Sequence, residues 1–127
     1  MAISFEYDST YPVPAFPVAQ IEIVGRGGRR ITQSAFLDTG ADATAIPISM
    51  LLQIDARRLD RAFARNMDGS RYEIVLYSVR IMIGSYVMHG VEVIANEKTS
   101  EVVVGRDVLN QLIVILNGLA GVSEIEQ

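Results

Sequence analysis

Cysteine and tryptophan are absent from this 127-residue chain, and His89 is its only histidine. Without a thiol there is no disulfide, no thiolate nucleophile and no cysteine-based zinc site. The lack of cysteine fits a reducing compartment, so a cytoplasmic location is expected. One histidine makes a histidine-rich metal site an unpromising reading, and a Ser-His-Asp triad would have to use that residue. Long apolar runs are missing as well. The longest, Leu112 to Leu116, falls far short of the roughly 20 residues a membrane-spanning helix needs, and it reads as a buried strand. Met1 to Tyr7 has no basic start, and Glu6 and Asp8 interrupt it, so neither a signal peptide nor a membrane partner is expected. An excess of positive charge is also lacking. Eleven Lys and Arg against 15 Asp and Glu give a net charge of −4, which argues against nucleic acid as the main partner. These absences narrow the available chemistry mostly to carboxylates.

Half of the residues are hydrophobic and a fifth are charged, which excludes a disordered or fibrous chain. The length suits one domain with its own core. No internal repeat or second composition zone interrupts it, so residues 1–127 are expected to form a single domain. Alternation at period two dominates, in Gln20-Ile21-Glu22-Ile23, in Val79 to Ile83 and in Val91-Glu92-Val93. Turn signals fall between such segments at Gly25-Arg26-Gly27-Gly28, Asp68-Gly69, Ile83-Gly84-Ser85 and Asn117-Gly118. Short, evenly spaced strands of this kind predict an all-β fold, a small barrel or sandwich. Helix is scarce. Pro47 suits the start of a turn or two running through Met50, Leu51 and Ile54, and a second short helix is expected over Arg106 to Leu112. Tyr11 to Pro17, with three prolines, reads as an extended connector.

The chemistry concentrates in Ala35-Phe36-Leu37-Asp38-Thr39-Gly40-Ala41-Asp42. An apolar strand runs straight into an Asp-Thr-Gly turn, the setting a catalytic carboxylate needs: a rigid strand end to aim it, and glycine to let backbone come close. Taken alone the tripeptide is weak, because an Asp-Thr-Gly turn can end any hairpin. Downstream, Val102-Val103-Val104-Gly105-Arg106-Asp107-Val108-Leu109 reads as a buried strand, a glycine and a short helix with a basic start.

In that order, the two segments resemble the retropepsin-like (retroviral and related bacterial) aspartic peptidases. The resemblance runs from about Val18 to Ile125 and is specific only as a pair of motifs. It implies a small closed acid-protease-like barrel with a flap hairpin and one short C-terminal helix. It implies Asp38 as the catalytic carboxylate and Thr39 as a hydrogen-bonding link across a dimer axis. Gly40 would leave room for substrate and face its N–H toward the carboxylates, and Ala41 completes the loop. Asp42 and Arg106 fall at positions that pair in the family, tying the loop to the helix behind Gly105 as a buried pair. The other reading of Asp42 and Arg106 is two solvated surface charges.

One motif per chain is enough if the chain pairs with itself. Amide hydrolysis of this class uses two carboxylates sharing a proton around one water, and no metal or cofactor is required. Asp8-Ser9-Thr10 cannot supply the second motif, because Tyr11 follows Thr10, and Asp55, Asp60, Asp68 and Asp107 also lack Thr-Gly. The expected function is a homodimeric aspartic endopeptidase acting on peptide or protein substrates, with its site on a two-fold axis. Ala41 offers the carboxylates no hydroxyl, from which an optimum in mildly acidic conditions is expected. Two other functions compete: a peptide-binding or dimerisation module with the same fold, and an unrelated small all-β domain.

The flap region is the least family-like. Tyr72 to Tyr77 and Val79 to Ile83 are candidates for its hairpin, with Asn66 to Ser70 as a tip holding one glycine, Gly69. Core packing is the preferred reading for both Tyr72 and Tyr77. Arg57, Arg58, Arg61 and Arg65 read as a solvated face rather than an acidic-partner site. His89 reads as a loop or strand-edge residue with no catalytic part. Ile3 to Tyr7 and Gly121 to Ile125 read as strands left unpaired in a lone subunit. Retroviral relatives interleave their termini between subunits; here the segment after Asn117-Gly118 has the alternative of folding back as a hairpin.

Overall fold

The computed structural model describes residues 2–10 and 14–127. The connector at Tyr11 to Pro17 falls partly outside them, at residues 11–13; of the rest, Phe16 forms a bridge with Asp8. In chain order the elements are β1 (Ile3–Glu6), β2 (Val18–Val24), β3 (Arg30–Leu37), β4 (Ala45–Pro47), α1 (Ile48–Gln53) and β5 (Arg57–Arg65). They continue as β6 (Arg71–Ile83), β7 (Tyr86–Asn96), β8 (Val102–Val104), α2 (Arg106–Leu109), β9 (Ile113–Asn117) and β10 (Val122–Glu126).

Period-two alternation becomes a barrel wall. In β2, Ala19, Ile21 and Ile23 are buried while Gln20 faces out. The strands pair in the order β2-β3-β8-β4-β7-β6, and β6 returns to pair with β2. That closes a six-stranded barrel and removes those edges. A register shift in the β6–β7 ladder between Val79 and Ile81 supplies a bulge of the kind that bends a sheet toward closure. Inside, Ile21, Ile46, Ile81, Ile83, Val93 and Val104 are fully buried. Each such side chain contributes about 1.5–3 kcal/mol of transfer free energy. Leu51 of α1 joins the same core, and Pro47 precedes the helix as its sequence suggests. α2 ends at Leu109, earlier than the segment to Leu112 would allow, and buries Val108 and Leu109. Among the described residues no helix is long and apolar enough to cross a membrane.

Two regions depart from expectation. The flap is not built from Tyr72–Tyr77 and Val79–Ile83, because both lie on the one continuous strand β6. Its partner is β5, which pairs from Arg57 opposite Ser78 to Arg65 opposite Arg71 with a register shift between Arg58 and Arg61, and Asn66 to Ser70 form the tip. The arginine-rich segment is therefore an arm of the flap. Leu112 to Leu116 is likewise not a buried strand. β9 is an outer strand of a separate sheet, β1-β10-β9, and Ile113, Ile115 and Leu116 remain 54%, 43% and 46% exposed. A charge-free run reads as core when its surroundings are unknown; here only Val114 of the strand packs against the core. Both terminal strands pair within the chain, Ile3 to Glu6 lying opposite Ile125 to Val122.

Candidate active site

Strand β3 carries the chain into the Asp38 turn, and the turn is closed by its own backbone. The Asp38 N–H donates to the Val104 carbonyl at 3.0 Å, extending the parallel β3–β8 ladder by one rung. Three residues on, the Ala41 N–H donates to the Asp38 carbonyl at 3.2 Å. The Gly40 N–H donates to Asp38 Oδ1 at 2.9 Å. A Cβ on Gly40 would stand 3.1 Å from that same oxygen, so glycine is what lets the amide approach. Asp38 is half-buried, whereas Thr39 and Gly40 are exposed. The carboxylate is thus oriented from one side and open on the other.

Arg106 supports the loop from behind. Its Nη1 donates to the Thr39 carbonyl at 2.7 Å, its Nη2 donates to Asp42 Oδ1, and its backbone N–H donates to the Ala41 carbonyl at 2.9 Å. The sequence-derived pairing of Asp42 with Arg106 therefore forms, but it is not buried. The Asp42 side chain is 91% exposed and that of Arg106 is 42% exposed. In a single chain such a pair contributes less than about 1 kcal/mol. Gly105 is required by close packing: a Cβ there would lie 2.8 Å from the Ala43 carbonyl oxygen and 2.9 Å from that of Ala41.

Sequence reasoning missed a second clamp. Asp107 was set aside for lacking Thr-Gly, yet its carboxylate accepts the Thr44 N–H at 3.1 Å, the Thr44 hydroxyl at 2.8 Å and the Val108 N–H at 2.9 Å. Thr44 is fully buried, and its hydroxyl oxygen also accepts the Gly105 N–H at 3.2 Å. The available signal was an aspartate in the first turn of a short helix, a position that satisfies backbone donors.

The flap is the second element of the candidate site. Between its β6 arm and the segment Ile94 to Lys98 lies a cleft of about 600 Å³, whose walls include Ala45, Ile48, Tyr72 and Ile74. Asp38 is not part of its lining. Tyr77 is buried as expected, but Tyr72 is 46% exposed and lines the cleft. The tip is ordered by its own side chains. The Ser70 hydroxyl and N–H donate to Asp68 Oδ1 at 2.6 and 2.8 Å, and Asn66 Nδ2 donates to Ser70 Oγ at 2.9 Å. The Ser70 hydroxyl first, and then its N–H, hold the Asp68 carboxyl below its ordinary range. Gly69 has φ +87°, which glycine adopts without strain. Arg57, Arg58, Arg61 and Arg65 are exposed, Arg61 pairing with Glu73 at 3.1 Å. His89 is an exposed residue of β7. Among the described residues no three His, Cys, Asp or Glu side chains gather where they could hold a metal ion.

This geometry has counterparts. The chain is similar in structure to a retropepsin-like aspartic protease from Rickettsia conorii, with a TM-score of 0.68 at 10% identity, covering 98% of this chain and 90% of that one. It is also similar to the EIAV protease solved with the inhibitor HBY-793, with a TM-score of 0.61 at 17% identity, covering 80% of this chain and 91% of that one. No curated protein matches the sequence. Residues 27–111, which hold the Asp38 loop, the flap and Gly105-Arg106-Asp107, match the family described as gag-polyprotein putative aspartyl protease. The chain belongs to that family, with the retropepsin-like fold.

Proposed function

We propose that the chain is one half of a homodimeric aspartic endopeptidase, in which two Asp38 carboxylates, one from each subunit, activate a water between them. The observation that carries this reading is the one-sided loop. Arg106 and Asp107 fix it from behind, while Thr39 and Gly40 are left uncovered. Two carboxylates about 3 Å apart do not both ionise. The ionised one takes a proton from water as it attacks the scissile carbonyl, and the protonated one donates to the carbonyl oxygen. The proton then passes to the leaving amine, and the pair is restored. Thr39 would hold the two loops together, and the cleft beside the flap would take substrate side chains. No cofactor enters this mechanism.

The test is digestion of a denatured protein library. Cleavage by the wild-type chain that disappears in Asp38→Asn supports the reading, and its pH–rate profile is expected to peak in mildly acidic conditions. A second reading, a peptide-binding module, draws on the flap tip, which has one glycine and is tied by Asp68 and Ser70. A dimer that binds peptides without cutting any of the library would select it.

A further inference from the structure

Away from the Asp38 loop, the barrel wall holds a partly buried arginine that the fold does not pair. Arg80 lies on β6, opposite Val24 of β2. Its Nε is buried without a hydrogen-bond partner, and among the described residues no carboxylate forms an ion pair with it. A buried donor left this way is costly, and an acceptor from outside the chain would recover that cost. Beside Arg80 is a cavity of about 310 Å³, whose walls include Arg26, Gly28, Ser78 and His89. We propose that this cavity binds a phosphate-class anion, with inorganic phosphate as its simplest form.

The local backbone explains why these side chains meet. The register shift in the β6–β7 ladder falls between Val79 and Ile81, with Arg80 at its centre and Gly90 across from it at φ +61°. A bulge re-aims the side chain it carries. Ser78 is on the same face of β6 as Arg80, two residues earlier. His89 comes from β7, and Gly28, at φ +75°, adds a wall of bare backbone from the turn between β2 and β3.

The charge balance favours an anion. No carboxylate lines the cavity. Asp55 is engaged by Arg26 at 2.9 Å, and Glu22 faces Arg30 at 3.7 Å. Glu92 lies opposite Ser78 in the ladder but outside the lining. Arg80 therefore supplies positive charge that nothing in the walls opposes. A guanidinium binds phosphate through two parallel N–H bonds, an imidazole has an N–H to give in either protonation state, and a hydroxyl adds a third donor. Donors arriving from two strands suit the four oxygens of a tetrahedral anion better than the two in-plane oxygens of a carboxylate.

The site is separate from the half-site. The cavity lies at the turn that precedes β3, and Asp38 follows the far end of that strand, eight residues or roughly 25 Å away. Its occupancy does not depend on the homodimer reading.

Thermal unfolding of the full chain in inorganic phosphate, against chloride and acetate at matched pH and ionic strength, tests the proposal. Phosphate at about ten times its dissociation constant is expected to raise the melting temperature by roughly 3–6 °C beyond either control. The gain is expected to vanish in Arg80→Gln and to shrink in His89→Ala, an exposed position, while Arg65→Gln on the flap arm keeps it. A titration of the wild type followed by amide NMR needs no variant, and its largest shifts are expected at Gly28, Ser78, Arg80 and His89. Equal stabilisation by acetate or chloride overturns the proposal. So does a gain that survives both Arg80→Gln and His89→Ala, or amide shifts gathered away from the cavity.

Discussion

The Asp38 loop and the flap tip are both tight turns closed by a side chain on its own backbone, yet they are anchored at very different ranges. Gly40 to Asp38 and Ser70 to Asp68 are each two residues apart. The Asp38 loop is then fastened to α2 by bonds spanning 61 to 67 residues, through Thr44, Gly105, Arg106 and Asp107. At the flap tip the side-chain bonds reach no further than four residues. A loop held by distant elements keeps its geometry only while the whole fold is intact, which suits a group that must be preorganised. A turn held by itself moves as a unit with the arm that carries it, which suits a cover.

Breaking the long-range anchor is expected to have the largest effect. Asp107→Ala leaves the buried Thr44 N–H and hydroxyl without their acceptor, and a loss of about 2–4 kcal/mol is expected in chemical denaturation. Gly105→Ala follows, at about 1–3 kcal/mol, because its Cβ overlaps the Ala43 carbonyl and pushes the loop from its place. A smaller effect belongs to the flap: Gly69→Ala, at φ +87°, is expected to cost about 1 kcal/mol and to raise amide exchange at the tip. Asp42→Ala is expected to change the stability of the isolated chain by less than about 1 kcal/mol, since the pair is exposed to solvent. A loss as large as that of Asp107→Ala would mean that Asp42 is buried in the assembled protein.

Acid distinguishes the two turns without mutation. The Asp68 carboxyl is held below its ordinary value of 3.8 in the folded chain. Its contribution is thus fully present above that value and is lost as the pH falls through the lower folded value. The protection of the Ser70 amide against exchange is expected to fall as the pH drops below the ordinary value of 3.8. Unchanged protection there would mean that the tip does not depend on the ionised Asp68.

Most of the barrel was legible because its strands carry their own period. Gln20 to Ile23, Val91 to Val93 and Val102 to Val104 alternate or run apolar, and glycine marks their ends. The Asp38 loop was legible because one short segment holds both the carboxylate and its turn. The flap was misread for a physical reason: β6 has no punctuation between Tyr77 and Val79, and β5 hides its alternation behind four arginines. Thr44 with Asp107 was invisible because the partners lie 63 residues apart and neither is unusual alone. β9 was misread as core because an uncharged run looks the same whether or not the fold covers it.

The terminal strands close on one another within the chain, so two chains sharing a site as proposed would part and re-form without unfolding. Mixed with Asp38→Asn chains, they would reassort like paired tokens. With equal numbers of each kind, only about a quarter of the pairs would hold two native aspartates. Activity would then follow the square of the native fraction, a curve that a subunit carrying a whole site could not produce.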